Sequence, residues 1–195
     1  MRLGLALAIV LIFVATPARA EWLIKPFAGL TFGGGTTLID PENAAGTVNT
    51  TLGVSAGFNA DVIGIEGDFG YGPGFFQTGD LDLVLKSKVT TLTGNVTLSL
   101  PKRMTEYTLR PYFVGGLGLL RASTTNANSL IETSGNWLAV DIGGGVTGFL
   151  SRRLGVSWEI RHFRMVNGKE GTGQTASGRE QMSFWRANMA LAIRY

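Results

Sequence analysis

The sequence predicts an all-β fold, an eight-stranded antiparallel up-and-down transmembrane β-barrel. Three observations predict it. Large apolar residues recur at every second position in eight runs of roughly ten residues. The connections between those runs alternate strictly between long and short. The 28 glycines of this 195-residue chain are spread through nearly every apolar segment, which disfavours helix by about 1 kcal/mol at each position.

Residues 1–20 read as a cleaved signal peptide: Arg2, an apolar run from Leu3 to Ala15 interrupted by Gly4, then Ala18-Arg19-Ala20 as a small-x-small cleavage site. The apolar run is shorter than the ~20 residues that span a bilayer as helix. Residues 21–195 then form one barrel domain, in which no later stretch is apolar enough for a membrane helix.

The first run sets Ile24, Ala28, Leu30 and Phe32 against Lys25, Phe27, Gly29 and Thr31. The second opposes Leu52, Val54, Ala56 and Phe58 to Thr51, Gly53, Ser55, Gly57 and Asn59. In the third, Ile63, Ile65, Phe69 and Tyr71 face away from Glu66 and Asp68, and in the fourth Leu92, Val96, Leu98 and Leu100 alternate with Thr91, Thr93, Asn95, Thr97 and Ser99. The fifth, Tyr107 to Leu120, carries apolar residues on both faces, with Leu109, Phe113, Leu117 and Leu119 assigned outward and Arg110, Tyr112, Gly116 and Gly118 inward. The sixth sets Leu138, Val140, Ile142 and Val146 against Asp141, Gly143, Gly145 and Thr147, and the seventh sets Leu154, Val156, Trp158 and Ile160 against Ser157, Glu159 and Arg161. The last alternates Trp185, Ala187, Met189, Leu191, Ile193 and Tyr195 with Arg186, Asn188, Ala190, Ala192 and Arg194; helical spacing would mix Arg186 with Met189 and Ile193. Short connections fall at Ala60-Asp61, Pro101 to Glu106 and Leu150 to Arg153, and long ones at Gly34 to Val48, Pro73 to Lys86, Thr124 to Gly135 and Val166 to Met182. All short turns therefore lie at one end of a meander and all long connections at the other.

Closure is what removes the two exposed edges of such a sheet. The face opposite the large apolar residues holds Lys25, Glu66, Asp68, Arg110, Asp141, Glu159, Arg161, Arg186 and Arg194, a nearly balanced set that suits structural charge pairing in a narrow lumen. The apolar face then meets lipid. Trp22, Phe32, Phe58, Phe69, Tyr71, Trp185 and Tyr195 lie towards strand ends, as interfacial girdles require, with Trp158 and Phe113 nearer the middle. A soluble ligand-holding barrel needs the opposite arrangement, an apolar interior.

Composition excludes several chemistries. There is no cysteine and one histidine, so disulfides, thiolate metal sites, cysteine nucleophiles and multi-histidine centres are ruled out. The formal charge of +3 falls to +1 without Arg2 and Arg19, which removes the argument for a nucleic-acid partner. Gly143-Gly144-Gly145-Val146-Thr147-Gly148 has the G-x-G-x-x-G spacing but lies inside an alternating strand that opens no helix, so no cofactor is expected. Its inward glycines make room for lumen side chains.

The segment Arg110-Pro111-Tyr112-Phe113-Val114-Gly115-Gly116-Leu117-Gly118-Leu119, the glycine-rich strand around Gly143 to Gly148 and the strand Leu154 to Arg161 resemble the eight-stranded outer-membrane β-barrel superfamily of OmpA-like and OmpX-like proteins. Ala187, Met189, Leu191, Ile193 and Tyr195 resemble the alternating, aromatic-ended signal that the barrel-assembly machinery recognises in that superfamily. The resemblance implies residence in the outer membrane of a Gram-negative-type bacterium, with outer-membrane lipid including lipopolysaccharide as surroundings. It names no ligand for the loops.

His162 is the single candidate for catalysis, on the outward face with Trp158 and Ile160. Lipid A deacylases of the PagL type, also small barrels, carry an outward catalytic His followed two positions on by a nucleophilic Ser. Here that position holds Arg164; a register that instead matches Asn167 to the family's Asn puts Arg164 at the His position and Val166 at the Ser position. Neither register supplies a hydroxyl beside a base, so His162 with Arg164 reads as an interfacial anchor. The sequence thus favours a non-enzymatic outer-membrane barrel with a structural, adhesive or protective role, over a deacylase-like hydrolase or a narrow pore.

Overall fold

Curling an alternating sheet onto itself gives every strand an inner face and leaves no edge unpaired, and in the computed structural model the eight runs curl into one closed antiparallel barrel with neighbours in sequence order. The structure describes residues 21–36, 48–74, 84–101, 104–105, 109–126, 132–166 and 182–195. The proposed signal peptide lies outside them. The strands are β1 (Glu21–Thr36), β2 (Asn49–Asn59), β3 (Ile63–Pro73), β4 (Val84–Ser99), β5 (Leu109–Asn126), β6 (Glu132–Phe149), β7 (Leu154–Met165) and β8 (Met182–Arg194). No helix among the described residues is long and apolar enough to cross a membrane.

The register fixes the barrel's shape. A hydrogen-bonded ladder followed from Trp22 passes through Phe58, Ile65, Val96, Gly115, Ile142, His162 and Trp185 and returns to β1 at Phe32, ten residues beyond its start. A ten-residue shear over eight strands corresponds to a tilt of about 40°. At that tilt, strands of roughly ten residues rise about 25 Å, the height of a membrane's apolar band.

Across the membrane-height band each strand turns most of its large apolar residues outward. Ile65, Leu117, Ile142 and Met189 are more than half exposed, whereas Lys25, Glu66, Asp68, Asp141, Arg161 and Arg186 are buried within the wall. In the fifth run, the least decided by sequence, Leu109, Phe113, Leu117 and Leu119 face out and Tyr112 in. Aromatic rings collect at both ends of the band: Trp22 meets Phe58 edge to face at 5.4 Å near the short turns, and Phe32 pairs with Trp185 near the long connections.

Several strands outrun the alternating pattern. β4 starts at Val84, β5 runs to Asn126 and β6 starts at Glu132, so the connection expected from Thr124 to Gly135 narrows to 127–131. Above the apolar band the ladder continues through pairs such as Ser123 with Ser134 and Thr124 with Thr133. Backbone pairing needs no hydrophobic alternation once both faces meet polar surroundings, which is why hydropathy did not mark these ends.

Candidate functional site

The interior is the site the strands build, and it has two storeys. In the lower storey, towards the short turns, Arg161 on β7 gathers carboxylates from its own strand and from β3 and β6. Its Nε donates to Glu159 Oε1 at 2.5 Å and its Nη2 to Glu159 Oε2 at 2.8 Å. Nη2 also pairs with Glu66 Oε1 and stands 4.0 Å from Asp68 Oδ2, while Nη1 lies 3.4 Å from Asp141 Oδ2. Lys25 Nζ is 2.6 Å from Glu66 Oε2 and 3.9 Å from Glu159 Oε2. Arg186 Nη2 pairs with Asp68 Oδ1 at 2.7 Å.

Neutral groups complete the lattice. Tyr112 OH donates to Glu159 Oε2 at 2.8 Å and Ser55 Oγ to Asp68 Oδ2 at 3.2 Å. With its amide oriented to satisfy both neighbours, Asn95 donates to Asp141 Oδ1 at 2.9 Å and accepts from Arg161 Nη1 at 2.7 Å. Buried charges persist where remaining lone pairs and protons find such partners. Space for the Arg161 stem comes from Gly143, where a Cβ would fall 2.8 Å from Arg161 Cγ and 2.3 Å from Ile160 O.

Two of the nine sequence-assigned charges stand apart. Arg110 sits at the short-turn rim, where Nε donates to Leu100 O at 3.3 Å and Nη2 to Ala60 O at 3.2 Å and to Asp61 O. Arg194 donates through Nε to Arg152 O at 2.8 Å, pairs with Glu21 Oε2 at 3.4 Å and covers the Phe149 ring at 4.3 Å. Both therefore tie turns together at the rim, and the central lattice holds Lys25, Arg161 and Arg186 against Glu66, Asp68, Asp141 and Glu159. Its formal balance is one negative charge, rather than the slight positive excess of the full nine.

The upper storey is apolar. Val89, Leu120, Ala122, Ala139, Phe163, Met165, Met182 and Phe184 form a buried cluster inside the barrel at the long-connection end, with Trp137 packed against it. Phe163 and Phe184 stack at 5.1 Å. Arg186 joins the storeys: its guanidinium lies 4.7 Å from the Phe27 ring and 4.8 Å from the Phe163 ring while its Nη2 holds Asp68. Arrangements of this kind add cation–π attraction where water is excluded. The cavity beneath the lattice, lined by Lys25, Glu66, Arg110 and Tyr112 among others, measures about 30 Å³, and that beside Arg186, Thr91 and Phe184 about 10 Å³. The second is on the scale of a single water, and the first has room for no more than a few.

Sequence reasoning missed the apolar storey, although parity held the signal: Phe163 and Met165 continue the inward series of Glu159 and Arg161, and Phe184 and Met182 that of Arg186. Outside the barrel, His162 packs its ring 4.8 Å from Trp185, and its cross-strand partners are Ile142 and Trp185. No described hydroxyl or carboxylate is hydrogen-bonded to it. Among the described residues no group of three or more His, Asp or Glu is arranged to hold a metal ion.

With the inside-out wall established, the sequence itself matches the family described as outer membrane protein beta-barrel domain over residues 5–182. The chain belongs to that family. Solved structures share the fold at low identity. Neisserial surface protein A, NspA, aligns with a TM-score of 0.64 at 12% identity, covering 90% of this chain and 99% of that one. Ail, the attachment invasion locus protein of Yersinia pestis, gives 0.54 at 11%, with coverages of 90% and 98%. OprG of Pseudomonas aeruginosa gives 0.52 at 16%, with coverages of 90% and 96%. No curated protein matches the sequence. The OmpA-like and OmpX-like resemblance of the strands thus stands at the level of the eight-stranded outer-membrane barrel.

Proposed function

We propose that this protein is a non-conducting, non-enzymatic barrel of the bacterial outer membrane that holds four long connections at the cell surface for a structural, adhesive or protective role. One observation carries the reading: an apolar cluster lies directly over a charge lattice in a lumen that eight strands already make narrow. A pore would need a continuous wet path, and two unlike layers would both have to open. Hydrolysis would need a hydroxyl beside His162, and none is hydrogen-bonded to it among the described residues.

On this reading the outward wall is immersed in outer-membrane lipid, including lipopolysaccharide. The barrel-assembly machinery engages Ala187, Met189, Leu191 and Ile193 on the outward parity of β8, the strand that closes the barrel against β1, together with Tyr195 just past its end, whose N–H donates to Trp22 O. The relative named for attachment and invasion, Ail of Yersinia pestis, favours the adhesive variant of the role.

Replacing residues 37–47 and 167–181 by short turns separates surface work from barrel work. Bacteria displaying the shortened chain are expected to insert as much β-barrel as wild type while adhesion to coated surfaces, or survival in serum, drops about tenfold. Unchanged adhesion and survival, with the wild-type chain conferring either property, would overturn the assignment of function to these connections.

A further inference from the structure

The short-turn mouth of the lumen holds a cavity that the charge lattice does not fill. Arg110, Phe149 and Arg194 continue the inward series of Tyr112, Thr147 and Ala192, all three buried, so their side chains stand inside the mouth and not on the lipid-facing wall. With Leu150 and Arg152 of the β6–β7 turn they line a cavity of about 410 Å³. Sites for small ligands run from about 300 to 1,000 Å³. Arg110 and Phe149 also wall the 30 Å³ cavity beneath the lattice, so the cup lies directly below it.

Local structure fixes the walls of the cup. Phe149 lies across from Gly155, where a Cβ would fall 3.0 Å from Phe149 Cδ1, and the Arg194 guanidinium covers the ring at 4.3 Å. Arg194 is held by Arg152 O and Glu21, and Arg110 by Leu100 O, Ala60 O and Asp61 O. A guanidinium presents its five N–H donors in a rigid fork, so these bonds orient each group at the cavity wall in advance of any ligand. The short turns and the strand ends that meet them carry Lys102, Arg103, Arg110, Arg152, Arg153 and Arg194 against the side-chain carboxylates of Glu21, Asp61 and Glu106. Pairing every one of those acids still leaves this end positive.

We propose that this cup binds the C-terminal residue of a peptide, its carboxylate on Arg110, Arg152 and Arg194 and its apolar side chain on Phe149 and Leu150. On the outer-membrane reading above, on which the location rests, the short turns face the periplasm, so the peptide is periplasmic. Carboxylate and guanidinium match in planar, two-point geometry. A bare phosphate carries the charge but gains nothing from Phe149 and Leu150. A membrane lipid lies outside the wall, away from inward-facing arginines.

The test uses the refolded mature chain, 21–195, in nanodiscs of neutral phosphatidylcholine, with N-acetyl-alanyl-leucine, its C-terminal amide and inorganic phosphate as probes. Binding is read by titrating NMR shifts of the barrel, and β-sheet circular dichroism reports folding. The acid is expected to bind saturably, with the amide and phosphate each about tenfold weaker or more, as loss of a charge-assisted hydrogen bond or of the apolar contact requires. Arg152→Gln, on an exposed turn, should weaken the acid about tenfold. Arg153→Gln, on the same turn but outside the cavity lining, should leave it unchanged. Equal binding of acid and amide overturns the proposal, as do equal affinity for phosphate, unchanged affinity in folded Arg152→Gln, or equal loss in Arg153→Gln. Orientation has its own readout: Leu150→Cys, in a chain without cysteine, should react with an impermeant maleimide only after the outer membrane is permeabilised. Labelling of intact cells overturns the outer-membrane orientation instead.

Discussion

Replacing Arg161 by methionine is expected to cost roughly 3–5 kcal/mol of barrel stability, the penalty for leaving buried charge without its partner. The position is unusual because one guanidinium serves Glu159, Glu66, Asp141 and, at 4.0 Å, Asp68. Without it, only Lys25 and Arg186 face four carboxylates. The unfolding midpoint in urea, followed by tryptophan emission of the barrel in lipid vesicles, measures the loss. Adding Glu159→Gln to Arg161→Met should recover part of it, because neighbouring charges in one network are not additive. Asp141→Asn alone should leave the midpoint unchanged or raise it, since the lattice carries one excess carboxylate and the distance from Asp141 to Arg161 is 3.4 Å. A midpoint for Arg161→Met within about 0.5 kcal/mol of wild type, the range of an ordinary surface change, would sink the idea that the lattice organises the interior.

The second large effect is steric. A Cβ at Gly118 would fall 2.0 Å from Leu92 O and 2.5 Å from Thr93 Cα, both backbone atoms of β4. No flexible side-chain end can yield there, so the strand itself would have to move, and β4 is paired with β5 from Val84 to Ser99. Gly118→Val is expected to cost about 3 kcal/mol or more and to abolish the folded, fast-migrating band on an unheated denaturing gel. Gly94→Val is the matched control, because nothing lies within 4 Å of its added Cβ, and the folded band should persist. Loss of both bands, or of neither, would show that close approach of β4 and β5 is not what Gly118 provides.

The alternation that betrayed the barrel also assigned the interior charges, because parity in a strand is absolute: once Trp158 and Ile160 face lipid, Glu159 and Arg161 must face the lumen. Parity could not rank those charges by height. Arg110 and Arg194 lie one strand step from lumen positions yet serve the short-turn rim, and Glu21, the carboxylate that meets Arg194, lies at the first residue of β1. Nor does parity distinguish a polar interior from an apolar one. Leu120, Phe163, Met165 and Phe184 carry the same residue types as the outer wall, so near strand ends they resembled the lipid-facing pattern fading rather than a second layer within the lumen. The hub role of Arg161 depends on shear, which brings β3, β6 and β7 to one height and is set by register rather than composition.

The proposed closure of the lumen rests on two unlike layers, the apolar cluster and the Arg161 lattice. Planar-bilayer recording of the refolded mature chain tests it most directly. Wild type is expected to give a baseline without conductance steps, and so is Phe163→Ala/Phe184→Ala, which opens only the apolar layer, because the Arg161 lattice beneath still closes the path. Discrete, ohmic steps from the wild-type barrel would contradict it.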